Sequence, residues 1–283
     1  MSFMPLHYTG ENRGFGAVFC AETSEGKNFA MENLNQLNKE AWNAYQEDYF
    51  KFHLMERPDY FEFFANGGVD RSKIPSAFML GDVTGLKLLD TCCACDAMQA
   101  FSWHNLGAVV TACDITPKAI EIAANSAAKM GLALDFVVAD MQTLEPVGDG
   151  QFDIVYATYP VWVQDINEAC KTWNRVLKPG GRLLWLMDHP IAECVAEEED
   201  GLRITGNYNA PNTERYDRFD GTPLADRQGG GWSVELPSAE HFWRISDILN
   251  AVCGAGFKIT QVCELHEQTK KLPGEFSVLA VKL

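Results

Sequence analysis

From Lys87 onward, short apolar segments alternate with segments of helical periodicity, and this alternation constrains the fold more than any other feature of the chain. The apolar segments begin at Lys87, Ala108, Leu134, Phe152 and Arg182. Each of the first four leads through a turn or loop into a helix-like stretch. Strands separated by helices in this way form a parallel sheet with right-handed crossovers. The sequence therefore predicts an α/β fold.

The C-terminal part of the chain predicts how this sheet ends. A helical segment over 244–256 is followed by two apolar segments over 257–265 and 275–283. A short loop separates these two segments, so they are expected to pair antiparallel at the sheet edge. The complete prediction is a doubly wound, Rossmann-like, seven-stranded, mostly parallel sheet with an antiparallel edge strand.

Two regions outside this pattern are predicted to be accessory. Residues 1–34 are rich in Gly, Asn, Ser and Glu without periodicity, and are interpreted as an N-terminal arm or lid. The main domain is assigned to 35–283. Within it, an insertion over about 190–240 contains an acidic run at 197–200 and a flexible Gly-rich stretch. An insertion of this length is usually functional, and it is predicted to be a substrate lid.

Composition excludes several classes of partner. The net charge is −16 and there is no Lys or Arg cluster, so a nucleic acid partner is not expected. No apolar run approaches the length of about 20 residues that a membrane span needs, and no secretion signal is recognisable, which predicts a cytoplasmic protein. Nine cysteines at irregular spacing do not predict a disulfide framework.

Three successive predicted strands end in an aspartate: Asp90, Asp114 and Asp140. Ligands of open α/β sheets bind outside the carboxyl ends of the strands, where the strand order reverses. One aspartate at a strand end is more often a helix cap or a turn residue. Three at successive strand ends favour a binding site. Two further motifs follow, FDxV over Phe152–Val155 and RVLKPGG over Arg175–Gly181.

In the order and spacing of these motifs, the chain resembles the class I S-adenosylmethionine-dependent methyltransferases over residues 35–283. The resemblance implies S-adenosylmethionine as the cofactor. It places Asp90 at the acidic end of the first strand, Asp114 at the ribose hydroxyls and Asp140 beside the adenine. Other residues expected at the cofactor are Tyr49, Ile115, Met141 and Ala157.

The loop after the first strand departs from the family pattern D-x-G-x-G-x-G. Asp90–Asp96 reads D-T-C-C-A-C-D, so Cys92, Ala94 and Asp96 occupy the glycine positions. Cys and Ala are small enough for close approach of a ligand, but a positive φ at either costs about 1 kcal/mol or more. Asp96 is expected to cap the next helix and to face the methionyl ammonium. The loop cysteines lack zinc-ligand spacing, so no metal is predicted and small-residue packing is preferred to a metalloid site.

Candidate acceptor residues follow the fourth and fifth strands and lie in the insertion. His189 and His241 are the candidate bases. For His189, a hydrogen-bonded turn residue is the alternative. His241 and Arg244 weakly resemble a segment of some small-molecule methyltransferases, and a capped, solvated helix start is the alternative there. The predicted substrate-binding residues are Arg244 and the aromatic residues Tyr159, Trp162, Tyr208 and Trp232, for which ordinary packing is the alternative.

The predicted function is methyl transfer from S-adenosylmethionine to a small-molecule acceptor at O, N, S or C. The expected mechanism is in-line displacement in an aromatic-lined pocket. A catalytically silent binding protein is one alternative, and it predicts a pocket filled by Cys92, Cys95 or Met98. An enzyme that uses the cofactor for other chemistry is another, and it predicts cofactor binding without methyl turnover. The sequence leaves the oligomeric state open.

Overall fold

The computed structural model describes residues 34–198, 201–204, 206–209, 212–216, 238–269 and 272–283. The helices in these residues are α1 (Leu34–Glu56), α2 (Tyr60–Ala65), α3 (Met98–Asn105), α4 (Pro117–Met130), α5 (Ile166–Val176) and α6 (Ile245–Gly254). The strands are β1 (Lys87–Asp90), β2 (Val109–Asp114), β3 (Asp135–Val138), β4 (Phe152–Thr158), β5 (Leu177–Asp188), β6 (Val195–Glu198), β7 (Gly201–Ile204), β8 (Asn212–Tyr216), β9 (Ser238–Phe242), β10 (Phe257–Thr269) and β11 (Leu272–Lys282).

Seven of these strands form one sheet in the order β10–β11–β5–β4–β1–β2–β3. The neighbours from β5 to β3 are all parallel, as the alternation of strands and helices predicts. The central strands carry nearly continuous apolar runs because helices cover both faces of the sheet. Trp185 of β5 and Tyr156 of β4, for example, have no accessible surface. The predicted doubly wound, Rossmann-like fold is therefore confirmed.

The predicted antiparallel pair forms at one side of this sheet, but the reversed strand is not the outermost one. β11 runs antiparallel to both β5 and β10 and lies between them. Its residues Phe276, Val278 and Ala280 are buried, so this strand needs a neighbour on each side. β10 is more exposed and includes Val262 with 44% of its surface accessible. The more polar strand therefore takes the edge.

The amphipathic helix α5 shows how local sequence sets the packing. Asp165 caps its N-terminus by accepting hydrogen bonds from the amides of Asn167 and Glu168. Its buried residues recur at helical spacing and include Cys170 and Trp173, which pack against the sheet. A second apolar cluster covers the opposite face and contains Phe101 and Trp103 of α3.

The described part of the predicted insertion contains regular structure. β6 pairs with β7 and β8 pairs with β9, both antiparallel. Trp232 and the predicted arm up to residue 33 lie outside the described residues. Lid roles for the insertion and for the arm remain predictions. In the described residues, no helix is long and apolar enough to cross a membrane.

Candidate cofactor and acceptor site

The three strand-end aspartates lie side by side at the carboxyl ends of the parallel strands β1, β2 and β3. β1 pairs with β2 in a register that joins Asp90 to Ala112, and β2 pairs with β3 so that Asp114 is opposite Val138. β1 also pairs with β4, so the strand order reverses at β1. A doubly wound sheet opens its ligand crevice at such a reversal. Asp114 is only 5% exposed and Asp140 is half-buried.

Asp90 presents an unsatisfied carboxylate oxygen. Its Oδ1 accepts hydrogen bonds from the Cys92 amide at 3.3 Å and from Gln99 Nε2 at 3.4 Å. Its Oδ2 is buried and has no hydrogen-bond partner among the described residues. Burial raises the pKa of Asp90 to about 7, although those two bonds oppose the rise. A buried, unpaired carboxylate oxygen is unfavourable, so it fits a cationic donor such as a ligand ammonium group.

Asp114 connects the cysteine-containing loop to the end of β2. Its Oδ1 accepts bonds from the Thr116 amide and hydroxyl at 2.9 and 2.7 Å. Its Oδ2 accepts a bond from the Ala94 amide at 3.1 Å. Burial nevertheless raises the pKa of this carboxyl. The second lone pair of Oδ2 faces only the weak thiol donor of Cys92 at 4.0 Å, which a ligand hydroxyl group can replace.

The loop adopts the backbone shape that glycines would supply. Ala94, at a glycine position of the family pattern, has φ +54°, in the left-handed region that disfavours L-residues. Ala97 also has a left-handed φ, of +43°, and takes the N-cap position of α3, so the prediction that Asp96 caps this helix is wrong. Cys92, Ala94 and Ile115 are partly accessible although their sequence neighbours are buried. Accessible surface therefore remains at the strand ends, where a ligand can approach. The left-handed alanines, this surface and the orphaned oxygen of Asp90 all fit the cofactor that the family resemblance implies.

The three loop thiols are used in different ways. Cys93 Sγ donates to the carbonyl of Ala94, and Cys95 Sγ donates to the carbonyl of Gln46 at 3.3 Å. Cys92 is partly accessible, and its Sγ lies 4.0 Å from Asp114 Oδ2. Within the described part of the chain, no cluster of His, Cys, Asp or Glu side chains is placed to hold a metal ion. The hydrogen bonds of Cys93 and Cys95 with backbone carbonyls are those of small side chains packed within the loop.

Helix α1 contacts all three strand-end segments. Asn35 Nδ2 donates to Asp140 Oδ2 at 2.6 Å, after β3. Gln46 Nε2 lies 3.3 Å from Thr116 Oγ1, after β2. His53 Nε2 lies 3.5 Å from Asp96 Oδ2 in the loop after β1, and burial lowers the pKa of His53. α1 therefore lies across the carboxyl ends of the strands, where the aspartates are.

Sequence reasoning missed Asn35, Gln46 and Gln99 as residues of this site. Each amide bonds a residue far away along the chain or in a different element. The available signal was an amide between apolar neighbours on a predicted helix, such as Gln99 between Met98 and Ala100. Of the predicted cofactor residues, Met141 is 6% exposed, and Ala157 has no accessible surface and lies in the core.

Aromatic side chains from α1 and from the segment after β4 form one cluster. The Trp42 ring meets Trp162 edge-on with centroids 5.2 Å apart. It also meets Tyr45 at 5.3 Å and Tyr49 at 5.9 Å. The structure therefore brings together Tyr49 and Trp162, which the sequence assigned separately to cofactor and acceptor. Such a cluster suits both a flat acceptor and a sulfonium ion.

Tyr159 has an unusual backbone at the end of β4. Its φ is +44°, which is rare for a bulky residue, and its side chain is 38% exposed. Its hydroxyl lies 3.4 Å from Glu275 Oε1. Burial, followed by Asp188 and Glu275, raises the pKa of Tyr159 well above its usual range. Strain of this kind concentrates at binding sites, which supports Tyr159 as an acceptor contact.

Both ring nitrogens of His189 have partners within the protein. The side chain is 1% exposed, Nε2 lies 2.9 Å from Glu264 Oε1, and Nδ1 accepts a bond from the Ile191 amide at 3.2 Å. This geometry favours the alternative role, a hydrogen-bonded turn residue before Pro190. A catalytic role for His189 remains a prediction that would require one of these bonds to break.

The remaining acceptor candidates meet near the start of α6. His241 is half-buried, stacks on Trp243, and has its pKa lowered by burial. The Arg244 side chain bonds Asp247 at 2.9 Å in a capping box, as the structural alternative predicts. The Tyr208 hydroxyl accepts a bond from the Ile245 amide at 3.1 Å. β9, which carries His241, packs against α1 and the segment over 160–162.

Comparison with known proteins agrees with this geometry. Residues 89–185, which include all three strand-end aspartates, match the family described as a methyltransferase domain. A malonyl-[acyl-carrier protein] O-methyltransferase from Pseudescherichia vulneris is 33% identical over 36% of this chain and 39% of its own length. A ubiquinone biosynthesis O-methyltransferase from Caulobacter sp. (strain K31) is 30% identical over 48% of this chain and 54% of its own length. The chain thus spans less than two thirds of either relative.

A solved structure has the same fold. The S-adenosylmethionine-dependent methyltransferase from Mesorhizobium loti superposes with a TM-score of 0.58 over 74% of this chain and 96% of its own, at 21% identity. The sheet order and the matched domain together define a methyltransferase fold with its ligand crevice at β1. Residues 89–185 are thus similar to a methyltransferase domain, and the chain has the fold of an S-adenosylmethionine-dependent methyltransferase.

Proposed function

We propose that this chain transfers the methyl group of S-adenosylmethionine to a small-molecule acceptor at the edge of the sheet beneath α1. The observation that carries the proposal is the row of carboxylates at adjacent strand ends, Asp90, Asp114 and Asp140, in which Oδ2 of Asp90 has no donor within the described part of the chain. Bound S-adenosylmethionine supplies an electrophilic methyl group. The residues of the chain bind and orient both reactants and exclude water.

Each carboxylate has a role that its surroundings support. Asp90, together with Asp96 in the loop, holds the methionyl ammonium, because its second oxygen is buried and receives no hydrogen bond from the residues that the structure describes. Asp114 accepts from the ribose hydroxyls through Oδ2 while Thr116 fixes Oδ1. Asp140 accepts from the adenine amine. Residues that line the same edge are Cys92, Ala94, Ile115, Met141 and Tyr49.

The acceptor is held on the β4 side of the site. Tyr159 and Trp162 form its wall, since one is partly exposed and the other joins the aromatic cluster of α1. Tyr208 of the insertion contributes to the pocket, with Arg244 near its rim, and Trp232, outside the described residues, stays a candidate from the sequence alone. Both curated relatives described above are O-methyltransferases, so a hydroxyl or carboxyl oxygen is the first acceptor class to test. His241 is the candidate base, because burial favours its neutral form.

Calorimetric titration with S-adenosylmethionine and S-adenosylhomocysteine, with NAD as control ligand, tests the proposal. Micromolar binding of the first two with no response to NAD supports it. Asp114→Asn is expected to weaken binding at least tenfold. Asp135→Asn is the matched control, because Asp135 is an exposed aspartate at the opposite end of neighbouring β3. Equal binding by both variants contradicts the site assignment.

The two alternative functions give distinct results in the same experiment. A wild-type protein that binds neither ligand is a silent member of the family. That reading predicts a cofactor pocket filled by Cys92, Cys95 or Met98; Cys95 and Met98 are buried beside the loop, whereas Cys92 is partly accessible. Binding without transfer of a labelled methyl group to any hydroxyl, carboxyl, amine, thiol or carbon acceptor indicates other chemistry at the same site.

A further inference from the structure

The side-chain nitrogen of Gln99 lies near three oxygen atoms around the loop over Asp90–Asp96. Its Nε2 lies 2.7 Å from the carbonyl oxygen of Cys92, 3.3 Å from Thr158 Oγ1 and 3.4 Å from Asp90 Oδ1. Gln99 is the second residue of α3, so a helix fixes its backbone. The side chain therefore joins the end of β1, the loop and the end of β4.

This loop needs support that the family pattern does not need. Where glycines adopt left-handed conformations freely, Ala94 and Ala97 hold them against steric opposition. The amide of Ala94 is fixed by Asp114 on one side of the loop. The carbonyl of Cys92 is fixed by Gln99 on the other, through the shortest of the three approaches. The two contacts together hold the loop in its shape.

The side-chain amide of Gln99 also constrains Asp90. The approach of Gln99 and the Cys92 amide both engage Oδ1, which leaves Oδ2 as the oxygen without a donor among the described residues. Without the Gln99 contact, the carboxylate loses one of the two donors that fix its rotation. The orientation of the carboxylate then depends on the Cys92 amide alone.

We propose that Gln99 is a positioning residue of the cofactor site: its amide fixes the Cys92 carbonyl and the Asp90 carboxylate, so that Asp90 Oδ2 is presented to the cofactor's ammonium group. This role rests on the proposed function, since it requires that S-adenosylmethionine binds here. A purely structural role, a helix side chain that satisfies one loop carbonyl, predicts a loss of stability alone.

The test compares Gln99→Met, which keeps the length of the side chain but removes its donors, with Asn105→Leu. Asn105 is the matched control because it is an amide at the other end of α3 that bonds the carbonyls of Phe64 and Gly68 at 2.9 and 2.8 Å. The dissociation constants of S-adenosylmethionine and S-adenosylhomocysteine are measured calorimetrically from pH 5.5 to 9. Gln99→Glu, of nearly the same shape, is the second variant if Gln99→Met does not fold.

We expect Gln99→Met to weaken cofactor binding about tenfold, the effect of one hydrogen bond to a charged group. The acid limb of the pH profile is expected to move to higher pH, because the bond from Gln99 lowers the pKa of Asp90. Gln99→Glu moves this limb in the same direction by placing a second acid beside Asp90. The alkaline limb reports the amino group of the ligand, with a pKa of about 8, and is expected not to move.

Other groups that face Asp90 are unchanged in these variants, so the acid limb isolates the contact. They are Asp114 from β2, Asp96 from the loop, Tyr156 from β4, and the thiols of Cys92, Cys93 and Cys113.

Three results would overturn the proposal or its basis. Unchanged affinity in Gln99→Met excludes the positioning role. If Gln99→Met binds the cofactor more weakly but its acid limb does not move, and Asn105→Leu behaves in the same way, Gln99 has only a structural role. This result also excludes the positioning role. If the wild-type protein binds neither ligand, the proposed function itself fails, and this outcome is separable because it precedes any comparison of variants.

Discussion

The side-chain amide of Asn35 donates a hydrogen bond of 2.6 Å to Oδ2 of Asp140, which links the first turn of α1 to the end of β3. The other oxygen of Asp140 accepts a bond from the Gln142 amide at 2.8 Å. In the proposed site, the adenine amine donates to this same carboxylate. An amide nitrogen of the chain thus stands where the cofactor's amine is expected.

Asn35→Ala is therefore expected to tighten binding of S-adenosylmethionine about fivefold, because the amine no longer displaces a bond worth about 1 kcal/mol. Calorimetry with the variant gives this directly. Gln36→Ala, at the neighbouring residue whose amide bonds Glu40, is the control and should bind as the wild type does. Weaker binding in Asn35→Ala would mean that Asn35 supports Asp140 rather than competing for it.

Ala94→Gly is expected to stabilise the protein, because it removes the left-handed strain of a φ of +54°. The gain in the free energy of unfolding is about 0.5 kcal/mol after allowance for the greater freedom of glycine in the unfolded chain. Urea denaturation measures it. Ala124→Gly, in the middle of α4, should instead lose about 1 kcal/mol. Equal losses in the two variants would show that Ala94 is not strained.

Asp90→Asn is expected to stabilise the ligand-free protein at pH 8 while it weakens cofactor binding. Burial raises the pKa of Asp90 from its ordinary 3.8 to about 7. Between pH 3.8 and about 7, the folded protein therefore binds more protons than the unfolded chain. Asp90 lowers the stability of the protein as the pH rises through this range. Each pKa unit is worth about 1.4 kcal/mol, so the gain at pH 8 is several kcal/mol and shrinks towards pH 5.5.

Thermal denaturation at the two pH values checks this sign, with Asp153→Asn as a control of opposite sign. Burial acts to raise the pKa of Asp153, but the bonds from Lys178 and from the Lys87 amide outweigh it and lower the pKa. Asp153→Asn should therefore destabilise the protein at pH 8. A fall in stability for Asp90→Asn at pH 8 would show that Oδ2 has a donor in solution.

His189→Ala is expected to lower the free energy of unfolding by about 1–3 kcal/mol, because it removes a buried ring that bonds both Glu264 and the Ile191 amide. Cofactor affinity should not change. Glu264→Gln keeps an acceptor oxygen opposite Nε2 and should have a smaller effect. Full stability of His189→Ala combined with lost methyl transfer would instead support the predicted catalytic role.

The parts of this fold that depend on local pattern could be predicted from the sequence. The alternation of strands and helices gave the parallel sheet, and the strand ends gave the row of Asp90, Asp114 and Asp140. These features follow from hydrophobic periodicity, which acts over a few neighbouring residues.

Features that depend on distant contacts could not be predicted in this way. Asn35 and Asp140 are 105 residues apart, and neither belongs to a motif that mentions the other. The position of β11 inside the sheet follows from a comparison of its burial with that of β10, which pairing alone does not provide. For the loop, the sequence predicts only that a positive φ is energetically unfavourable. The hydrogen bonds that stabilise this conformation involve Asp114 at the end of β2 and Gln99 in α3, which are not part of the loop.

The reversed strand β11 also affects the order in which the chain folds. Its neighbour β5 is far away along the chain, whereas β10 precedes it by only a short turn. The hairpin of β10 and β11 can form early from local contacts, whereas its docking onto β5 closes a long loop and is slow. Since β10 joins the sheet through β11, the two strands would then attach or detach as one unit. Hydrogen exchange should show this as a common opening rate for amides on both strands.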